Sequence, residues 1–317
     1  MKALVVGGAG YIGGYLVNKL QQQMPDVVVY DNLLYEDRYL KDVDFIRGDI
    51  RDTRKLVEAA EDCDVVILAA ALVGDPACAV DKMLTHDINF KAIKDACLAL
   101  PKNKHVIFLS TCSVYGAQND LLDETSPTDP LSEYAVTKLK AEKYVEERGG
   151  TIFRLGTVFG LGDTHSRIRL DLVVNVLTLN AITYGKITVN GGDQWRPIIS
   201  VKDVAGYICE ACKGVSRAGI YILARENTTI KNLGEKVVSL IPDTDIEYTD
   251  ISFQDGRNYK ISTDKVDSAF IYTPRYSIDD EVYEMKSLFT DQRIKDPSNS
   301  LYNNGKYLTE LRNVTRF

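Results

Sequence analysis

The chain has 317 residues, of which 45% are hydrophobic and 26% are charged, and its formal net charge is -7. This composition is typical of a globular protein with room for about two domains, and the acidic balance argues against binding nucleic acid by bulk charge. The longest apolar stretch, VVILAAALVG, has about ten residues and is too short to span a membrane. The amino-terminal apolar run breaks directly into glycines, so we expect a folded segment, not a signal peptide, in a cytoplasmic protein.

Up to about Gly160, short apolar runs alternate with helical patterns. The predicted strands are KALVVGG, DVVVYD, DFIRGD, DVVILAA, HVIFLS and TIFRLG. The predicted helices are YIGGYLVNKLQQ, TRKLVEAA, NFKAIKDACLAL and SEYAVTKLKAEKYVEER. Because the apolar runs are continuous, we expect strands covered on both faces. The alternation predicts an α/β fold with a Rossmann-type, doubly wound parallel sheet.

The pattern changes after Gly160. A polar loop and a helix are predicted in GLGDTHSRIRLDLVVNVLTLN, two strands and a turn in GKITVNGGDQWRPIIS, and a helix in VKDVAGYICEACKG. The last part is richer in Tyr, Asp and Asn, with helices too short for a core of their own. We therefore predict a Rossmann domain at residues 1–160, to which later segments return, and a smaller lobe at residues 161–317.

The chain has six cysteines, which we expect to be reduced and mostly buried. They are Cys63, Cys78, Cys97, Cys112, Cys209 and Cys212. The last two form a CxxC pair, which could indicate zinc, but a structural zinc site usually needs a second pair. Only His86, His105 and His165 could replace that pair, so we predict no metal site.

A dinucleotide site is predicted at the start of the chain. Gly7, Gly10 and Gly13 follow the first strand and open a helix, where glycines let the backbone approach a pyrophosphate. Asp31 ends the second strand, where a carboxylate accepts hydrogen bonds from a ribose and repels a 2′-phosphate. No arginine follows it immediately, so NAD is favoured over NADP. Asp49, after the third strand, lies where an adenine edge is expected, although it could equally cap the helix TRKLVEAA.

Several motifs occur in one order along the chain. They are GGAGYIG, YDN, GDIRD, LAA, Asn89, STCSVYG, YAVTK, RLGTVFG and QWRPIISVKDVA, with a weaker match at DGRNYKIS. The motifs from residue 7 to about residue 205 follow the order found in one family. Through them the chain resembles an extended short-chain dehydrogenase/reductase of the NAD-dependent nucleotide-sugar epimerase/dehydratase family. The resemblance implies NAD as cofactor, a nucleotide-diphosphate sugar as substrate bound by the C-terminal lobe, and a homodimer formed through helices that include YAVTKLKAEKYVEE.

The resemblance also implies site residues. Its cofactor-binding positions are Gly7, Gly10, Tyr11, Ile12, Gly13, Asp31, Asn32, Asp49, Ile50, Ala69, Ala70, Asn89, Tyr134 and Lys138. Its substrate-binding positions are Thr111, Cys112, Ser113, Asn175, Arg196 and Arg257, with Arg167 and Arg169 as weaker candidates. Guanidinium groups suit a diphosphate because their donors are planar and bidentate. The alternative for the arginines is a surface or interdomain ion pair, and the alternative for Asn89 is a local cap.

The catalytic residues implied are Thr111, Tyr134 and Lys138. Tyr134 and Lys138 are four apart on a predicted helix, so they share a face. A free tyrosine is a poor base, because its pKa is about 10, but an ammonium group and an oxidised nicotinamide would both lower that pKa. The Tyr134 phenolate would then take a proton from a sugar hydroxyl as hydride leaves the same carbon. Thr111 would align the reacting oxygen, or else cap the strand exit, and Lys138 would hold the nicotinamide ribose.

Three departures from the family pattern bear on the reaction. Thr157 replaces an asparagine, Ile67 replaces a histidine, and Thr111-Cys112-Ser113 replaces the Thr-Asp-Glu that is common in sugar 4,6-dehydratases. We therefore rank an epimerase that transiently oxidises C4 first, a 4-dehydrogenase or reductase second and a dehydratase third. A non-catalytic NAD sensor or RNA-associated regulator on the same fold is the remaining alternative.

Overall fold

A computed structural model describes residues 1–213, 217–249 and 257–315. Its fourteen strands follow in chain order: β1 (Lys2–Val6), β2 (Asp26–Asp31), β3 (Asp44–Arg47), β4 (Val65–Leu68), β5 (His105–Thr111), β6 (Ala117–Leu122), β7 (Thr151–Leu155), β8 (Thr157–Phe159), β9 (Lys186–Asn190), β10 (Trp195–Ser200), β11 (Gly219–Leu223), β12 (Glu226–Thr229), β13 (Asp245–Thr249) and β14 (Asn258–Ile261).

In the part of the chain that the structure describes, twelve α-helices connect and cover these strands. They are α1 (Tyr11–Gln21), α2 (Thr53–Ala59), α3 (Asp75–Val80), α4 (Lys82–His86), α5 (Ala92–Ala99), α6 (Glu133–Glu147), α7 (Val173–Tyr184), α8 (Val201–Ala211), α9 (Ile230–Leu240), α10 (Asp264–Ala269), α11 (Ile278–Thr290) and α12 (Asn304–Thr315). A π-helical turn, Asp87–Lys91, joins α4 to α5, and short 3-10 turns lie at Cys112–Tyr115 and Ser300–Tyr302.

The central sheet has seven parallel strands in the order β11-β7-β5-β4-β1-β2-β3. Successive side chains of β1 enter two separate apolar cores, because residues alternate between the faces of a strand. Val5 packs with side chains of α1 and α8 on one face, and Leu4 packs with side chains of α2 and α5 on the other. Both faces are therefore buried, and the predicted doubly wound parallel sheet is confirmed.

A third, smaller core lies beyond β7. It joins α7, α9 and α11 around a three-stranded sheet of β12, β10 and β8, with Leu177, Leu233 and Val282 among its buried side chains. In the strand-turn-strand segment that the sequence predicted, β9 and β10 do not pair with each other. Strand β9 pairs with β13, and β10 pairs with β8 and β12.

Three later segments return to the Rossmann part. Strand β11 forms the edge of the seven-stranded sheet, α8 packs on α1, and α12 packs on α3. In α12, Leu308 is buried in the core that contains Ala77, and Arg312 donates a hydrogen bond to the carbonyl of Val80. The sequence did not predict this return of the carboxyl-terminal helix. The domain boundary near residue 160 stays a prediction.

The six cysteines are buried and carry free thiols. Cys209 and Cys212 lie one turn apart at the end of α8 within the apolar core, and burial raises the pKa of Cys209 to about 12. In the described ranges, no helix is both long and apolar enough to span a membrane.

Candidate cofactor and active site

The turn between β1 and α1 has a backbone that only glycine fits. Gly7 has a φ of +91°, and a Cβ there would lie 2.5 Å from the nitrogen of Ala70. A Cβ on Gly13 would lie 2.1 Å from the Gly7 carbonyl oxygen. Because glycine has no side chain, the turn leaves an open space at the amino end of α1, and the amino end of a helix favours a bound phosphate. The residues of the turn therefore fit the expected pyrophosphate.

This turn forms one side of a cleft of about 960 Å³, part of which is open to solvent. The predicted cofactor residues that line it are Gly7, Gly10, Tyr11, Ile12, Gly13, Asp31, Asn32, Asp49, Ile50, Ala69 and Ala70. Lining residues that the sequence did not assign to the cofactor include Tyr35, Arg167, Arg169 and Asn304. The structure thus brings most of the predicted cofactor residues to one cleft and adds a contribution from the end of the chain.

Asp31 lies at the end of β2 with both carboxylate oxygens engaged by the backbone. Its Oδ2 accepts a hydrogen bond from the nitrogen of Ala9 (3.0 Å) and its Oδ1 accepts one from the nitrogen of Leu33 (2.8 Å). Burial raises the pKa of Asp31, and the backbone hydrogen bonds oppose that rise. Each oxygen can accept a further hydrogen bond, so the carboxylate can still receive a ribose hydroxyl.

Asp49 lines the cleft as half of an ion pair. Its carboxylate accepts hydrogen bonds from Nε (2.9 Å) and Nη2 (2.8 Å) of Arg51, and these lower the pKa of Asp49. The alternative role as helix cap is wrong, because α2 is capped by Asp52, which accepts a hydrogen bond from the nitrogen of Lys55 (3.0 Å). The adenine contact remains a prediction.

Asn89 supports the backbone at the cleft. Its side chain is completely buried in the π-helical turn, where Oδ1 accepts from the nitrogen of Leu72 (2.9 Å) and Nδ2 donates to the Leu72 carbonyl (2.8 Å). Leu72 belongs to the loop after β4 and lines the cleft. Asn89 therefore holds this loop and does not cap its own helix.

A buried polar network holds the exit of β5, where STCSVYG begins. Arg154 of β7 and Glu142 of α6 form an ion pair (2.7 Å), and Ser110 donates a hydrogen bond to the same carboxylate. Arg154 also donates to the Tyr115 hydroxyl (2.8 Å). Side chains of α6 and β7 thus hold both ends of the segment from Ser110 to Tyr115, which contains Thr111.

Thr111 and Tyr134 meet at this exit. The Thr111 hydroxyl accepts from the nitrogen of Ser113 (3.1 Å) and donates to the Ser113 hydroxyl (3.1 Å), so it does cap the turn, and it lies close enough to the Tyr134 phenol to influence its pKa. Burial raises the pKa of Tyr134, the nearby Cys78 raises it further, and the Thr111 hydroxyl and the charge of Arg169 oppose that rise. The pKa of Tyr134 is thus raised, whereas the sequence predicted that it would be lowered. The positive charge of an oxidised nicotinamide would have to overcome the effect of burial.

Lys138 lies on the same face of α6, deeply buried. Its Nζ donates to the Leu109 carbonyl (2.8 Å) and lies 4.6 Å from the centre of the Phe108 ring. Burial lowers the pKa of Lys138 to about 8. One of the three ammonium donors is used here, so others are available for a ribose. The predicted ribose contact stays a prediction.

The predicted substrate residues Ser113, Arg196 and Arg257 meet next to Thr111. Arg257 donates from Nη1 to the Ser113 hydroxyl (3.0 Å), and its Nη2 lies 3.5 Å from a carboxylate oxygen of Asp75. Arg196 donates to the carbonyl of Arg257. Sequence analysis missed Asp75, although it follows β4, and the carboxyl ends of parallel strands are where ligands bind in such sheets.

Two other predicted substrate residues are directed into the protein. Cys112 is fully buried, and its thiol donates to the carbonyl of Arg154 (3.3 Å). Asn175 is also fully buried, and its Nδ2 donates to the carbonyls of Gly160 (3.0 Å) and Arg169 (2.7 Å). Both side chains form hydrogen bonds with the backbone inside the protein, which differs from the substrate contacts predicted for them.

The weaker candidates Arg167 and Arg169 both line the cofactor cleft. Arg169 pairs with Asp171 through two contacts of 2.9 and 3.1 Å. Arg167 packs 3.7 Å from the centre of the Tyr35 ring. A substrate contact of either arginine stays a prediction.

Comparisons with known proteins agree with this geometry. Residues 3–223 match the family model described as NAD dependent epimerase/dehydratase family. A UDP-glucose 4-epimerase of Lactobacillus helveticus is 30% identical over 212 residues, which are 61% of this chain and 64% of that protein. An N-acetyl-alpha-D-glucosaminyl-diphospho-ditrans,octacis-undecaprenol 4-epimerase of Escherichia coli O157:H7 is 27% identical over 67% of this chain and 63% of its own length. The matched segments thus span less than two thirds of either relative.

Solved structures share the fold over most of the chain. The UDP-glucose 4-epimerase of Thermus thermophilus in complex with NAD has a TM-score of 0.77 at 23% identity, covering 92% of this chain and 99% of that one. The dTDP-glucose 4,6-dehydratase of Bacillus anthracis str. Ames in complex with NAD has a TM-score of 0.79 at 21% identity, covering 93% and 98%. Because epimerases and dehydratases are equally similar, fold alone does not select the reaction.

Proposed function

Because this chain belongs to the NAD dependent epimerase/dehydratase family, with NAD as its cofactor, we propose that it is a nucleotide-sugar epimerase that transiently oxidises C4 of the sugar. The observation that carries the proposal is the proximity of the Thr111 hydroxyl and the Tyr134 phenol at the end of β5, next to the cluster of Ser113 and Arg257. A hydroxyl and a phenol placed together can handle the proton of a sugar hydroxyl. NAD, when bound, accepts hydride from the sugar carbon and can return it.

Each side chain then has a role. Tyr134 takes the proton from the sugar hydroxyl and later returns it, acting as general base and then general acid. Thr111 donates its hydrogen bond to the reacting oxygen and aligns it with Tyr134. Lys138 holds a ribose and adds positive charge that favours the phenolate. A tyrosine whose pKa is raised by burial would hold its proton until the charge of an oxidised nicotinamide is added, so the base would form only in the assembled site.

The substrate diphosphate is assigned to Arg196 and Arg257. Arg196 lies in β10 and Arg257 directly precedes β14. Arg196 donates a hydrogen bond to the carbonyl of Arg257, and Arg257 already reaches the hydroxyl of Ser113 beside Thr111. A doubly charged diphosphate would compete with the single carboxylate of Asp75 for Arg257. The relatives named UDP-glucose 4-epimerase support a uridine nucleotide as the carrier.

Loss of water is not proposed. A 4,6-dehydratase must remove a proton at C5 and protonate the leaving hydroxyl at C6, which needs two placed acid-base groups. Cys112 holds the position of one of them, but its thiol is buried, burial raises its pKa, and it hydrogen-bonds the backbone. Ser113 holds the other position and is a weaker acid still.

The test is to incubate the purified protein and NAD with UDP-glucose, and separately with the dTDP, GDP and CDP sugars, and to analyse products by anion-exchange chromatography and mass spectrometry. An epimer of unchanged mass is expected with at least one sugar. Tyr134→Phe should lower turnover by about 100- to 10,000-fold, with NAD affinity unchanged. Tyr144→Phe on the same helix is the matched control and should keep normal turnover.

Other outcomes contradict the proposal in different ways. A product lighter by two hydrogens, with a rise in NADH absorbance, identifies a 4-dehydrogenase. A product lighter by one water identifies a dehydratase and means that the acid-base groups come from elsewhere, with Asp75 the first to examine. Normal NAD binding without any product would support the sensor alternative.

A further inference from the structure

Two stacked side chains in the cofactor cleft have polar atoms without partners. The guanidinium of Arg167 lies 3.7 Å from the centre of the Tyr35 ring, and both residues line the cleft. Arg167 is only 7% exposed, yet its Nε has no hydrogen-bond partner among the described residues, and the Tyr35 hydroxyl has none either. Unpaired buried donors cost free energy, so such atoms call for a ligand.

The end of the chain fixes the orientation of Arg167. Its Nη2 donates to Oδ1 of Asn304 (2.7 Å) and to the carbonyl of Leu301 (3.1 Å). Asn304 in turn donates from Nδ2 to the carbonyl of Val73 (2.8 Å), and its own nitrogen donates to Asp171 (3.0 Å). Arg167 is therefore held by two acceptors from the segment that leads into α12, and both are neutral groups that leave its charge uncompensated.

The loop that carries Arg167 packs on the first turn of α1. A Cβ on Gly14 would lie 2.9 Å from the hydroxyl oxygen of Ser166, so the two backbones approach closely there. Arg167 follows Ser166 in sequence and lines the same cleft as the glycine turn. The amino end of a helix and an adjacent guanidinium both attract an anion.

The pairing of the charged side chains that line the cleft also favours an anion at Arg167. Among the cleft-lining residues of the described ranges, Asp49 is paired with Arg51 and Arg169 is paired with Asp171. Arg167 forms no ion pair with any described residue; Glu36 lines the cleft and influences the charge of Arg167 only at longer range. Burial lowers the pKa of Arg167 to about 10, so the group is still charged at neutral pH.

We propose that Arg167, oriented by Asn304 of α12, binds the pyrophosphate of NAD. The carboxyl-terminal segment thereby becomes part of the cofactor site, although it lies far from the glycine turn in sequence and beyond the motifs of the family. A 2′-phosphate of NADP is the other phosphate that could reach this cleft. Asp31 would repel it, so the pyrophosphate is the group we assign. The assignment does not depend on which sugar reacts.

Calorimetric titration of the full chain with NAD, ADP-ribose and NADP tests the proposal without any turnover. Arg167→Gln should weaken NAD and ADP-ribose alike, by about tenfold to a hundredfold, and should flatten the salt dependence of binding. The matched control is Arg54→Gln, which removes the same charge from an exposed ion pair on α2 and should bind NAD as the wild type does.

A second variant tests the orientation of Arg167 by Asn304. Asn304→Asp keeps the oxygen that Arg167 contacts but loses the Nδ2 donor to the Val73 carbonyl, and it places a negative charge beside the guanidinium, so NAD should again bind at least about tenfold more weakly. Wild-type NAD affinity in Arg167→Gln would overturn the proposal, as would an equal loss in Arg54→Gln. A loss confined to NADP would assign Arg167 to the 2′-phosphate instead. Unchanged binding in Asn304→Asp would remove α12 from the site.

Discussion

The buried ion pair behind the segment that contains Thr111 should be essential to stability. Arg154 and Glu142 are each 4% exposed, and their closest contact is 2.7 Å, with two further contacts of 3.1 and 3.2 Å from Nε. Glu142→Ala leaves the guanidinium buried without its carboxylate. We expect the free energy of unfolding to fall by about 3–5 kcal/mol, the cost of leaving one partner of a buried pair uncompensated.

Chemical denaturation followed by circular dichroism measures this loss. The matched control is Glu147→Ala on the same helix, which breaks an exposed pair with Lys143 (3.8 Å) and should cost at most about 1 kcal/mol. Ser110 also loses its acceptor in Glu142→Ala, so Thr111 should be less well placed and turnover should fall as well. The reasoning is refuted if Glu142→Ala costs no more than the control.

A double variant identifies the cause. Glu142→Leu combined with Arg154→Met removes both charges and fills the space with apolar atoms, a change that is often neutral or stabilising for buried pairs. We therefore expect it to be more stable than Glu142→Ala. A double variant as unstable as the single one would mean that lost packing, and not the uncompensated charge, causes the effect.

Three further predictions concern the cofactor, pH and assembly. Asp31→Ala should weaken NAD by about tenfold or more and NADP less, and a wild-type protein that binds NADP more tightly in calorimetry would contradict this. Burial raises the pKa of Glu281 from 4.5 to about 7, so the folded state favours the protonated carboxyl. The free energy of unfolding should therefore fall by on the order of 3 kcal/mol as the pH rises from about 4.5 to about 7. Glu281→Gln should lack this fall, so an equal pH dependence in denaturation of both proteins would count against it. We also expect a homodimer formed through helices that include α6, and light scattering that shows a monomer at micromolar concentrations would exclude it.

Local sequence predicted the fold, and it placed the candidate catalytic residues, because strands, turns and helix faces each depend on neighbouring residues. Continuous apolar runs indicated strands buried on both faces, and the strands of the central sheet up to β7 lie close to where they were expected. The glycine turn and Asp31 follow strand ends, so the sheet itself brings them to one cleft. Tyr134 and Lys138 share a helix face whatever the rest of the fold does.

Tertiary structure decided the direction in which side chains point and which distant residues meet. Periodicity does not show that Cys112 and Asn175 hydrogen-bond the backbone inside the protein, or that burial raises the pKa of Tyr134. Arg167 and Asn304 are 137 positions apart, and only the return of α12 to the Rossmann part joins them. Such contacts depend on the packing of whole elements and on burial, which are properties of the assembled chain and not of any short segment.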